Sequence, residues 1–495
     1  MEHNLNERNL TMLADFYELT MAGGYFENGL QNTVAYFDMF FRKIPDNGGF
    51  AIMAGIEQLI EYLQSLHFAK EDIAYLKEKK IFSDAFLRFL ADFHFTCDVW
   101  AVPEGTPVFP NEPIITVRGP VIHAQFIETM LLLCINHQSL IATKANRICR
   151  AAGGRAVMEF GARRAQGFDG AVYGARAAYI GGCTGTSCVL SDIAFQTPAL
   201  GTMAHSWVQM FDSEEDAFRA YAKQYPENCT LLVDTYNTLQ SGVPNAIKIF
   251  NEELLPKGFR PAGIRIDSGD ITYLSKKARK MLDEAGFSDC KICASNALDE
   301  YLIRDMLLQG APIDLFGVGE RLITASSDPV FGGVYKLCAI EAHGNILPKI
   351  KISNNVSKIT TPCFKNLYRL FDTASGKAIA DVVTLFDEKI DDRAPYTIFD
   401  PQFTWKRKTV TGFKAVPLRV QLFQNGKLVY TPPALQSIQT YCASQLETLW
   451  DEVKRFENPH NYYVDLSQKL WDTKDTLIKE RRGLFANSSA NGTGF

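Results

Sequence analysis

The stretch Gly263–Asn296, GIRIDSGDITYLSKKARKMLDEAGFSDCKICASN, decides the fold. Gly263–Asp267 is a short β-branched run that ends in Asp267-Ser-Gly-Asp270. Ile271, Leu274, Ala278, Met281, Leu282 and Ala285 then recur at helical spacing, with Lys276, Lys277, Lys280, Asp283 and Glu284 largely off that stripe. This predicts an amphipathic helix from Ile271 to Ala285, with Asp270 as a natural N-cap. Cys290–Ala294 is the next strand, followed by Ser295-Asn296. Strand, helix and strand in succession imply parallel neighbours joined by a right-handed crossover.

The pattern extends in both directions. Arg155–Phe160 (RAVMEF), Thr230–Asp234 (TLLVD) and Ile313–Gly317 (IDLFG) are further strands, and Leu298 to Gln309 is a second amphipathic helix. Either an open parallel sheet or a barrel satisfies this alternation. Each strand runs into polar or glycine residues: Gly161-Ala-Arg163, Asp234-Thr235, Asp267-Ser-Gly-Asp270, Ser295-Asn296 and Gly317-Val-Gly319. In parallel α/β architectures, active sites lie at the carboxyl ends of strands.

Glycine is dense from Ala151 to Gly185, nine in that stretch, and Arg155, Arg163, Arg164 and Arg176 share it. Glycine admits close backbone approach and arginine forks bind carboxylates or phosphates, so the pair points to a small anionic ligand. No P-loop is present, and no Rossmann glycine motif stands between a strand and a helix. Histidine is scarce, eight in 495 residues. His205 lies among small residues that leave its ring accessible.

Outside this centre the texture changes. Leu10 to Tyr25, Ala51 to Leu66 and Ile122 to Arg150 read as helices, the last as one long apolar helix or two broken ones. The proline-rich stretch from Asp98 reads as strands and turns. FKNLYRLFDTASGKAIADVVTLF (364–386) reads as a hairpin turned at Ser375-Gly376-Lys377, and Pro432 to Phe456 includes a helix. The division expected is 1–130, an N-terminal mixed α/β domain; 131–348, an α/β barrel; 349–485, a C-terminal α/β part; and 486–495, a disordered tail.

Apolar residues are 46% and charged residues 22%, the composition of a globular chain. Lys+Arg is 51 against Asp+Glu 56, which argues against a dedicated nucleic-acid binder. The longest apolar run, Met130 to Ile135, falls short of the ~20 residues of a membrane span. The polar N-terminus has no signal-peptide h-region, and eleven cysteines without one read as reduced thiols of a cytoplasmic protein. The lone CxxC, Cys290–Cys293, reads as a strand with one buried and one exposed thiol.

Seven stretches, LADFYELTMAGGYF, EFGARRAQGFDGA, GTMAHSWVQMF, LLVDTYNT, GIRIDSGD, ASNALDE and FGVG with GGVYKL, stand in an order that resembles the nicotinate phosphoribosyltransferase family. The resemblance implies a type II phosphoribosyltransferase fold: an irregular α/β barrel plus a mixed α/β domain formed from the N- and C-terminal parts. It implies a cytoplasmic homodimer with active sites at the subunit interface. The implied reaction joins nicotinate to phosphoribosyl pyrophosphate (PRPP), with ATP as cosubstrate and Mg2+ as cofactor, giving nicotinate mononucleotide and diphosphate. This is the first step of NAD salvage from nicotinate, classed as a C–N ligase.

On that resemblance Phe160 and Tyr17 sandwich the pyridine ring, Tyr17 coming from the other subunit. Arg163, Arg265 and Thr202 serve the carboxylate and ribose, and Asp267 faces the ribosyl cation. Ser295, Asn296, Gly317 and Gly319 take the 5-phosphate by backbone amides. His205 matches the phosphorylated histidine, and Asp234 its orienting carboxylate. Magnesium is met mainly through substrate phosphates. Two positions depart from the pattern: Glu320 stands where a Thr is usual beside the phosphate, and Ala14 where a Thr is common. Ser187 replaces the Asp that nicotinamide-using relatives place near the amide, which favours the acid substrate. The alternatives are a nicotinamide or quinolinate enzyme, or a non-catalytic phosphosugar-binding protein.

Overall fold

The computed structural model describes residues 8–490. The chain divides into two compact units, Leu140–Pro329 and a second that joins the stretch before residue 140 to the stretch from Val330 onward.

The Leu140–Pro329 unit is built on a six-stranded, wholly parallel sheet. Its order is Gly185–Thr186, Ala156–Glu159, Leu315–Val318, Lys291–Asn296, Gly263–Ile266, Thr230–Leu232. The helix Ile271–Glu284 links two adjacent strands and buries Ile271, Ser275, Ala278 and Leu282. Asp270 caps it by accepting a 3.0 Å hydrogen bond from the Tyr273 amide. Helix Glu300–Leu308 makes the next crossover, capped by Asp299, which accepts from the amides of Tyr301 and Leu302. Cys290 and Cys293 are both buried, rather than one in and one out. Cys293 lies in the strand Lys291–Asn296 in the middle of the parallel sheet, which is covered on both faces, and Cys290 is buried just before it.

In the other unit, the seven-stranded sheet explains why the chain ends fold together. Val34–Phe40 pairs antiparallel with Val334–Ala342 on one side and Ile115–Pro120 on the other, and Asp98–Ala101 pairs with Val420–Gln424. Residues 330–348 therefore belong here, and the unit with the parallel sheet runs from Leu140 to Pro329, against the 131–348 expected of the barrel. The alternation in VYKLCAIEA announces a strand but not its partner. The expected hairpin is present, Lys365–Asp372 against Ala378–Leu385, with Gly376 at φ +70° in its turn. Across it Arg369 and Asp381, both fully buried, form a two-pronged ion pair at 2.8 and 2.7 Å.

Val121–Ala151 is long and apolar enough to cross a bilayer by length and composition, which the short apolar run did not announce, but 67% of its apolar window is buried within the protein. Its second half also carries Lys144 and Arg147, both buried and paired with Glu300 at 2.9 and 2.7 Å. These are features of a core helix. The C-terminal helix Gln468–Ala490 runs into the stretch expected to be disordered; residues 491–495 lie outside the described residues.

Candidate active site

Parallel register levels the strand ends. Glu159 lies opposite Thr186 and Val318, Asn296 opposite Val318, and Ala294 opposite Ile266. The residues that follow, Ser187, Phe160, Gly319 and Asp267, with Asp234 beyond the edge strand, gather along one rim of the sheet.

Asp267 is the centre of the tightest cluster. The Ser295 hydroxyl donates a hydrogen bond to its Oδ1, and Arg265 Nη2 lies 3.4 Å from the same oxygen. Burial pushes this carboxyl up, but Ser295 and Arg265 outweigh it and hold it below the ordinary aspartate value. Arg265 is itself fixed: Nε donates to Ser295 Oγ at 3.0 Å, and Nη1 to Thr202 Oγ1 at 2.9 Å and the Met203 carbonyl at 3.0 Å. Most of its fork is spent on neighbours, so in this arrangement it positions Asp267 and Thr202.

His205 opens the short helix His205–Gln209 and is 37% exposed. Its Nδ1 lies 3.1 Å from the Thr235 hydroxyl, and its Nε2 lies 3.8 Å from Asp267 and 4.0 Å from Asp234. Asp234 Oδ2 accepts from the Asp267 amide at 2.9 Å and the Ser268 hydroxyl at 2.6 Å. Its Oδ1 is buried with no hydrogen-bond partner. A buried carboxylate oxygen left bare beside an imidazole is costly unless a ligand, proton or small ring movement completes it.

The phosphate candidates are also neighbours. Ser295 pairs with Gly317, and the exposed Asn296 sits at φ +136°, a region nearly restricted to glycine and found mostly at functional sites. A Cβ at Gly317 would lie 2.5 Å from the Phe160 ring, so only glycine leaves that ring its place. Glu320 is 56% exposed and lies 3.6 Å from Arg164, whose charge offsets its own. Arg163 is exposed, in the turn Ala162–Arg164, and Ser187 is exposed with its amide bound to the Glu159 carbonyl at 2.8 Å.

Three family models cover the chain: the nicotinate phosphoribosyltransferase N-terminal domain over 12–136, the family proper over 155–368, and the C-terminal domain over 364–474. The chain belongs to the nicotinate phosphoribosyltransferase family. The Bacillus subtilis nicotinate phosphoribosyltransferase is 43% identical, over 97% of each chain. A crystal structure of the human nicotinic acid phosphoribosyltransferase superposes with a TM-score of 0.83 at 28% identity, covering 94% of this chain and 100% of that one. A Pyrococcus furiosus nicotinate-nucleotide pyrophosphorylase structure, at 24% identity and TM-score 0.68, shares the fold, covering 90% of this chain and 97% of that one. The fold is thus that of the type II phosphoribosyltransferases.

Tyr17 belongs to the other compact unit. It is 43% exposed on the helix Phe16–Glu27 of the interleaved unit, where it lines a cavity of about 580 Å³ with Tyr25, Phe37, Glu128 and Lys336. Burial and the neighbouring Glu128 push its phenol well above the ordinary value. Several supporting residues escaped the sequence reading. Glu159, fully buried, accepts from the Thr186 hydroxyl at 2.6 Å and closely from the Gly161 amide, tying two strand ends together. Arg321 pairs with Asp299 and so ties the Asn296 loop to the Gly319 loop. Thr235 directly follows Asp234, and that adjacency was the signal for its contact with His205.

Proposed function

We propose that the protein is a nicotinate phosphoribosyltransferase that forms nicotinate mononucleotide and diphosphate from nicotinate and PRPP. In this reading it hydrolyses ATP to ADP and phosphate through phosphorylated His205. The observation that carries the reading is the rim cluster of Asp267, Ser295, Arg265 and Thr202 beside an accessible His205, in a chain whose relatives are named for this reaction.

The ribosyl carbon becomes cation-like as its bond to diphosphate breaks and the pyridine nitrogen attacks. Asp267, held ionised by Ser295 and Arg265, supplies the preorganised negative charge that this state needs. Phe160 offers a face for the ring, and Arg163 a free fork for the carboxylate. The strand ends at Ser295-Asn296 and Gly317–Gly319 receive the 5-phosphate.

Magnesium, when bound, neutralises the leaving diphosphate. Among the described residues no group of three or more His, Cys, Asp or Glu side chains could hold a metal ion. The donor set instead suits a magnesium carried on substrate phosphates, with Asp267 and the bare Asp234 Oδ1 as the oxygen donors nearest His205.

Two carboxylates beside Nε2 favour the tautomer protonated there. The Nδ1 lone pair, next to the Thr235 hydroxyl, then attacks the γ-phosphorus of ATP as the bond to the ADP oxygen breaks. The reading includes a cytoplasmic homodimer in which a second copy supplies Tyr17.

The test is diphosphate release from PRPP with nicotinate, nicotinamide or quinolinate, each with and without ATP. Nicotinate should dominate, and ATP should raise its rate. A better rate with another pyridine would assign the neighbouring specificity, and no release with any would make the chain a binding protein. Ser187→Asp should weaken nicotinate relative to nicotinamide, because a second carboxylate there repels that of the substrate. An unchanged kcat/KM ratio would mean that Ser187 does not face the carboxylate.

A further inference from the structure

Cys149, on the long helix Glu128–Ala151, and Cys183, in the turn between helix Phe168–Ile180 and strand Gly185–Thr186, bring their sulfurs to 3.9 Å. A disulfide requires about 2.05 Å, a closure of roughly 2 Å. The turn that carries Cys183 packs closely on the helix that carries Cys149. A Cβ at Gly181 would lie 2.4 Å from the Ala142 carbonyl oxygen, and Asn146 Nδ2 donates to the Gly181 carbonyl at 3.1 Å. A Cβ at Gly182, where φ is +115°, would lie 3.6 Å from both Cβ and Sγ of Cys149. The two glycines let the turn lie close against the helix. Cys149 is half-buried and reachable, whereas Cys183 is fully buried.

We propose that Cys149 and Cys183 are a redox-modifiable pair, which a peroxide converts to an intramolecular disulfide that fixes the turn before Ser187 to the helix. The Cys149 thiolate attacks one oxygen of hydrogen peroxide, the O–O bond breaks, and hydroxide leaves, giving a sulfenic acid. Cys183 sulfur then attacks Cys149 sulfur, the S–O bond breaks, and the departing hydroxide takes the Cys183 proton. Two thiols are oxidised and the peroxide becomes two waters. The Cys149 contact and burial raise the Cys183 thiol, which suits it to resolve rather than to react first.

The strand beyond the turn is anchored. The Thr184 amide donates to the Val157 carbonyl at 2.8 Å, and Thr186 Oγ1 donates to Glu159 at 2.6 Å. A shift of Cys183 therefore reaches Ser187 only by straining these two hydrogen bonds. That functional consequence rests on the proposed reaction; formation of the disulfide does not.

The purified full chain is treated with hydrogen peroxide, alkylated and digested for mass spectrometry, alongside Cys149→Ser and Cys188→Ser. The expected result is a cross-link between the Cys149 and Cys183 peptides, lighter by two hydrogens and reversed by dithiothreitol. It should persist in Cys188→Ser and be absent from Cys149→Ser. Nicotinate turnover should fall at least about twofold with the cross-link, recover on reduction, and be insensitive in Cys149→Ser. Sulfinic acid at Cys149 without a cross-link, or pairing to Cys188, overturns the proposed pair. A cross-link that leaves turnover unchanged overturns the coupling to Ser187. Absence of turnover in the untreated enzyme counts against the proposed reaction instead.

Discussion

Asp267 is pulled two ways, upward by burial and downward by Ser295 and Arg265, and the second wins. Its folded pKa lies below the unfolded value of about 3.9. The contacts therefore stabilise the fold above that pH and are lost as the pH falls through the folded value. Ser295→Ala removes the hydrogen bond that most lowers this carboxyl, so the acid limb of kcat/KM should move to higher pH. A superimposable profile would leave Arg265 as sufficient. The proposed reaction gives His205 a separable task. On the proposed reaction, His205→Ala should abolish ATP hydrolysis and its stimulation while leaving slow phosphoribosyl transfer, because Ser295 and Arg265 still hold Asp267. Wild type incubated with γ-labelled ATP should carry acid-labile, base-stable phosphate, and label in the mutant would make the histidine structural.

At the scale of elements, the sheet register does what no single residue does. Ser295 faces Gly317 across two strands, and the Phe160 ring lies over that glycine. Gly317→Ala would drive a methyl into the ring at 2.5 Å. Overpacking of this kind costs about 1–3 kcal/mol, which thermal unfolding would register. A displaced ring also loses a stacking face worth about 0.5–1.5 kcal/mol, so the nicotinate KM should rise by up to roughly tenfold. A stable mutant with unchanged KM would mean that Phe160 does not stack on the substrate.

For the whole molecule, the telling feature is that Tyr17 belongs to the interleaved unit while the rim residues belong to Leu140–Pro329. If two copies share a site, Tyr17→Ala mixed with Arg265→Ala should regain activity, about a quarter of wild type for random exchange with one intact site per heterodimer. Subunit exchange is confirmed first by mass. Two inactive parents with no rescue after exchange would place Tyr17 elsewhere.

Local signals were enough for the centre of this chain. Apolar periodicity set the helix from Ile271, Asp270 announced its cap, and the strand ends displayed Asp234, Asp267 and Ser295 because parallel strands carry their chemistry there. Family motifs then supplied roles that periodicity alone does not contain. Long-range pairing was not legible. That Val334–Ala342 joins Val34–Phe40 depends on which strand edge is free when the chain closes. Nor could spacing tell that Arg265 spends its fork on Thr202 and Ser295, or that Glu159 is buried beneath Gly161. Side-chain hydrogen bonds between residues tens of positions apart exist only once the sheet has set their distance, so tertiary structure alone decided them.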